Sequence, residues 1–177
     1  MRFEVRDTNR FPRPTVFAVH RDELEQIAAS MPDVERVEVR GRSRHADGRE
    51  EQITHWAGSP SALPALIRPM VPASMLQWRQ TTLWDPRTYV ATWTIDLPGL
   101  GGAVHATGSN RYLEAPGGTT IEVEGDFAFR PEVVPQLKSI PASAVPIVER
   151  AVVSMIVPMI ERTGSAVAKY LDEHPLP

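Results

Sequence analysis

Glu51 and His55 fall on one face of an alternating stretch, and a histidine near a carboxylate in apolar surroundings can act as a general base. They are the sequence's candidates for catalysis. The plainer account makes His55 a rim residue satisfied by its neighbours. Asp7 and Asn9 share a face with Phe3 and Val5, where they could solvate a ligand's head group or simply cap the helix that follows. Arg40, Arg42 and Arg44, with Arg36 and Arg49 nearby, suggest phosphate binding until Glu35, Glu38, Glu50 and Glu51 are set among them. That pattern predicts an exposed, ion-paired sheet face. Metal chemistry has little footing, because His20 with Asp22 and His45 with Asp47 are short pairs in a helix end and a turn. Gly99-Leu100-Gly101-Gly102 has neither the spacing nor the following helix of a phosphate-binding loop, and reads as a turn.

The elements that must position these groups follow from the hydrophobic periods. Residues 2–11 alternate strictly and predict a strand, ended by Pro12 and Pro14. Two short helical patterns follow, at 15–20 and 22–30. From Val34 the period is two for nearly a hundred residues. A three-residue loop, Ala46-Asp47-Gly48, predicts a hairpin that pairs His45 with Arg49 and Arg40 with Thr54, turning Glu51, Ile53, His55 and Ala57 inward. Strands are predicted at 76–84, 89–97, 103–113 and 120–129. Trp84 paired with Tyr89 would bring Trp78, Gln80, Thr82, Trp84, Tyr89, Ala91, Trp93 and Ile95 to one face. Glu114 paired with Thr119 separates Arg111, Ser109, Glu122 and Glu124 from Tyr112, Asn110, Ile121, Val123 and Phe127. One long helix, about 144–173, closes the chain, with a wide apolar face that includes Met155 and Met159.

Composition narrows the classes of function. The chain has 177 residues with 19 Lys and Arg against 22 Asp and Glu, a net charge of −3, which argues against nucleic acid as a partner. Cysteine is absent, so disulfides, thiolate metal sites and a cysteine nucleophile are excluded together. No signal-peptide core opens the sequence, and the longest apolar run, 151–160, is about half a membrane span. The expectation is a single soluble, cytoplasmic domain with no transmembrane segment and no cofactor. The oligomeric state is open.

A strand, two short helices, six meandering strands and a long last helix make an α+β order: a curved antiparallel sheet of about seven strands wrapped on that helix. Here the chain resembles the START-like (SRPBCC, helix-grip) superfamily. Within it, Trp93-Thr94-Ile95-Asp96-Leu97-Pro98-Gly99, Val104-His105-Ala106-Thr107-Gly108, Arg111-Tyr112-Leu113-Glu114 and Val145-Pro146-Ile147-Val148 resemble the motifs of a bacterial START-like family of unknown function. Trp84-Asp85-Pro86 gives a looser likeness to PRELI-like lipid-transfer proteins. The superfamily implies a hydrophobic cavity between sheet and last helix. Its expected walls are Trp78, Trp84, Tyr89, Trp93, Phe127, Met155 and Met159, with His55, Gln80, Asn110 and Tyr112 orienting a ligand. The proline-broken segment 58–75, carrying Leu66, Ile67 and Met70, is the expected lid, suited to ligand entry or transient membrane contact. The expected function is non-catalytic binding, carriage or sensing of a hydrophobic small molecule or lipid. The alternatives are a polyketide cyclase or aromatase using the same cavity, and a protein-interaction module with a closed core.

Overall fold

Alternation of apolar and polar residues builds a seven-stranded antiparallel sheet in the computed structural model, which describes residues 1–62, 76–135, 138, 139 and 141–175. The strands are β1 (Arg2–Asn9), β2 (Val34–Arg44), β3 (Glu50–Gly58), β4 (Gln77–Asp85), β5 (Val90–Asp96), β6 (Val104–Ala115) and β7 (Gly118–Phe129). β2 to β7 form a meander, and β1 pairs with β7, giving the order β1-β7-β6-β5-β4-β3-β2. Helices α1 (Arg13–Asp22) and α2 (Leu24–Ala28) follow β1, with Pro14 in the first turn of α1, where a missing amide costs nothing. Helix α3 (Val145–Glu173) is the single long cover, and buries Ala166, Val167 and Leu171. The expected α+β helix-grip architecture is present.

The β6–β7 register follows the sequence pattern residue for residue: Tyr112 opposes Ile121 and Asn110 opposes Val123 on the inner face, while Arg111 opposes Glu122 on the outer. Across the middle of the sheet runs a row of opposed residues, Trp93, Gly108, Gly125 and Phe3. The two glycines are there because the flanking rings lie over them. A Cβ at Gly125 would come within 2.2 Å of Phe3 Cζ, and one at Gly108 within 2.3 Å of Trp93 Cζ2. Strand glycines covered by neighbouring aromatic rings let a sheet bend sharply without opening a void.

Two expectations are corrected. Trp84 pairs with Ala91 rather than Tyr89. The shift is two residues, so every β4 and β5 side chain keeps its face, but Tyr89 falls in the turn, with φ at 55°. The second correction reverses a face. The hairpin loop is as expected, with the His45 amide bonded to the Arg49 carbonyl and Arg42 opposite Gln52, but a bulge at Arg40 then places Val39 opposite Thr54. Gln52, Thr54 and Trp56 point inward, and Glu51, Ile53 and His55 outward. The bulge reconciles both halves of β2 with one inner face, presenting Val37 inward and then sending Arg42 to Asp22 at the end of α1, 3.0 Å away. The arginine row is ion-paired as expected, with Arg36 and Arg40 on Glu38, Arg44 on Glu50 and Arg49 on Asp47.

Candidate ligand cavity

Between the inner face of the sheet, the two short helices and α3 lies a cavity of about 100 Å³. Four indoles stand in its walls among aliphatic and polar side chains. Trp78, Trp84 and Trp93, expected from the sequence, line it together with Gln80 and Asn110. β3 adds Trp56, stacked on Trp78 with ring centroids 5.6 Å apart. Asp7 comes from β1, His20 from α1, Leu24 and Ile27 from α2, and Ile160, Thr163 and Gly164 from α3.

Other expected wall residues are placed differently. Tyr112 and Phe127 are fully buried packing groups, and Tyr89 packs edge-on against Phe17 with the Arg13 guanidinium over its ring; none of the three lines the cavity. His55 and Glu51 lie on the far side of the sheet; His55 is exposed and borders an outer groove with Arg36, Arg40 and Arg79. The side chains of Met155 and Met159 lie outside the described residues, as do Leu66, Ile67 and Met70 of the expected lid.

The wall's polar groups are largely engaged with one another, which is what burial requires of them. The Trp84 indole donates to Gln52 Oε1 at 3.2 Å, and Gln52 Nε2 donates to the Arg21 carbonyl at 2.9 Å. The Trp93 indole donates to Asn110 Oδ1 at 2.9 Å, and Gln80 Nε2 to Thr82 Oγ1 at 2.9 Å. Tyr112 Oη and His20 Nδ1 share a 2.5 Å hydrogen bond. Burial away from water penalises charge on both partners. It drops His20 to about 4, so the imidazole is neutral at pH 7, and it raises the Tyr112 hydroxyl well above its ordinary value. Asp7 differs from these groups. Its Oδ1 accepts the Thr8 amide at 2.7 Å, while Oδ2 is buried without a hydrogen-bond partner.

His20 and Trp56 belong to the site although the sequence did not single them out as wall residues, while Asp7 lines it as the inward group the sequence offered for a head group. A signal existed for His20, which stands four residues after Val16 and three after Phe17, on the buried face of α1. Trp56 was hidden by the bulge at Arg40. Among the described residues no three His, Asp or Glu side chains are gathered as a metal site, and no helix is long and apolar enough to cross a membrane.

No family model and no curated protein matches the chain, so the likenesses to the bacterial family and to PRELI-like proteins rest on the quoted residues alone. Solved structures do match. TTHA0849 from Thermus thermophilus is 13% identical with a TM-score of 0.69, over 99% of this chain and 100% of that one. The Zhui aromatase/cyclase from Streptomyces sp. R1128 is 17% identical with a TM-score of 0.59, over 96% and 89%. Ara h 8.0201 is 12% identical with a TM-score of 0.63, over 98% and 99%. At such identities the likeness is one of backbone, and together with the sheet order and the long covering helix it gives this chain the helix-grip fold.

Proposed function

We propose that the protein binds a hydrophobic small molecule or lipid between the sheet and α3, as a carrier or sensor that performs no chemistry on it. The observation that carries this reading is the cavity of about 100 Å³ ringed by Trp56, Trp78, Trp84 and Trp93. Flat apolar walls supply affinity through buried area, and a few fixed polar groups such as Asn110 and Gln80 set orientation. A cavity of this kind speaks against an interaction module with a filled core. Native mass spectrometry of freshly purified protein, with organic extraction of whatever dissociates, tests the proposal. A hydrophobic molecule at near-stoichiometric level supports it. A bare mass, together with no change in tryptophan emission on adding small apolar ligands, sinks it.

The aromatase/cyclase reading loses His55 and Glu51, which lie outside the cavity. One observation keeps it as the second reading: two titratable groups, Asp7 and His20, do line the cavity. The Zhui neighbour is named as an aromatase/cyclase. Turnover of a polyketide-type substrate that His20→Gln abolishes, with ligand affinity retained, would put this reading first.

A further inference from the structure

We propose that the cavity selects a ligand whose apolar body carries a protonated amine, and that the Asp7 carboxylate receives it. The inference rests on the binding reading above and names the ligand class. Asp7 occupies an inner-face position of β1 between Val5 and Asn9, both buried. The contrast with Asn9 is informative, because that residue spends its whole amide on the fold. Its Nδ2 donates to the Gly164 carbonyl at 2.9 Å and its Oδ1 accepts the Phe11 amide at 3.0 Å. Asp7, which lines the cavity, ties down one oxygen on the Thr8 amide, while Oδ2 lies buried against the backbone of Gly164 with no side-chain partner. The other described side-chain atoms in that condition, Arg13 Nε and Glu50 Oε1, belong to residues that do not line it. Asp7 also forms no ion pair among the described residues.

The surroundings leave room for that oxygen and supply no counter-charge. A Cβ at position 164 would sit 2.0 Å from Oδ2, so the glycine of α3 makes the space that Oδ2 occupies. From β7 the opposed residue is Ile121; from α3 the charged neighbour is Glu161; from α1 the cavity receives His20, which is neutral. Burial raises the affinity of Asp7 for a proton, Glu161 adds to the rise, and the amides of Thr8 and Gly164 work against it. A carboxylate held this way lacks a cation. An acidic ligand would be repelled by Asp7, and a purely apolar one would leave Oδ2 as unsatisfied as before.

The test uses four probes with one phenyl body: ethylbenzene, 2-phenylethanol, 2-phenylethylamine and 3-phenylpropionate, titrated by calorimetry and tryptophan emission. The amine is expected to bind tightest and the acid weakest. Asp7→Asn should weaken the amine by about tenfold or more while ethylbenzene stays within about twofold. An amine no better than ethylbenzene, or one unaffected by Asp7→Asn, overturns the inference and leaves the cavity reading standing. Failure of all four probes, ethylbenzene included, overturns the cavity reading itself. Should Asp7→Asn not fold, the wild-type protein suffices. The amine is expected to outbind both 2-phenylethanol and ethylbenzene, and a ranking in which it does not overturns the inference.

Discussion

Gly164 of α3 presses its backbone against the side chain of Asp7 on β1, with no room between them for a methyl group. A Gly→Ala change inside a helix ordinarily stabilises it by about 1 kcal/mol. Here the new Cβ meets Oδ2, and the carboxylate that must retreat also holds the Thr8 amide. Gly164→Ala should therefore be neutral or destabilising alone, and stabilising in an Asp7→Ala background. A denaturant double-mutant cycle should return a coupling of about 1–3 kcal/mol. Additive effects would mean that the two residues do not meet.

His20 should make the protein acid-sensitive. Its folded pKa, about 4, lies below the ordinary 6.5, so the unfolded chain binds the extra proton first. Its contribution is fully present above pH 6.5 and is lost as pH falls toward 4, by about 3 kcal/mol at most. Asp7 opposes this: its raised pKa makes the folded state the better proton acceptor, so acidification relieves its burden. Thermal melts between pH 7 and 4 should show a loss that shrinks in His20→Gln and steepens in Asp7→Asn. Curves of equal slope in all three proteins would count against the burial of both groups.

Trp93 is held from two sides, by Asn110 at its nitrogen and by Gly108 beneath its ring. Asn110→Leu leaves a buried indole N–H unpaired and should cost about 1–3 kcal/mol, part of which Trp93→Phe recovers in the same background. Gly108→Ala is expected to be worse, about 3 kcal/mol or more, because its Cβ also meets the Glu124 carbonyl at 2.3 Å and a backbone cannot rotate away. Near-ultraviolet circular dichroism would follow the indole's displacement.

His55→Ala and Glu51→Gln should leave the affinity for any cavity ligand unchanged within about twofold, since neither side chain reaches the cavity wall. Trp84→Ala should abolish binding and cost about 3–5 kcal/mol of stability, because Trp84 is both wall and core. A competition assay across the three variants separates the two faces of the sheet.

The residues that were legible in the sequence are those whose chemistry alternates with the pleat. Arg111, Glu122 and Glu124 against Tyr112, Ile121 and Val123 leave one register possible, and β6–β7 took it. β3 defeats the same logic, because its buried residues are polar and its Ile53 is not among them. Gln52 and Thr54 can live inside only because Trp84, Arg21 and Trp56 complete their hydrogen bonds, and those of Gln52 come from distant stretches of chain. Nothing local marks the bulge at Arg40 that compensates. Asp7 was legible as an inward polar residue; that its second oxygen goes unanswered depends on Gly164, on the far side of the cavity.

The pairing of β1 with β7 also orders events in time. Arg2 lies opposite Asp126, so the first strand made is the one that waits longest for its neighbour. β2 to β7 can zip hairpin by hairpin, whereas β1 must close a loop spanning most of the chain, the slow kind of contact. Until it does, β7 is a bare edge, α3 has no first strand to lie on, and Asp7 has no cavity to face. The sheet thus holds β1 in reserve, and the cavity is finished by the strand that precedes all its partners in sequence.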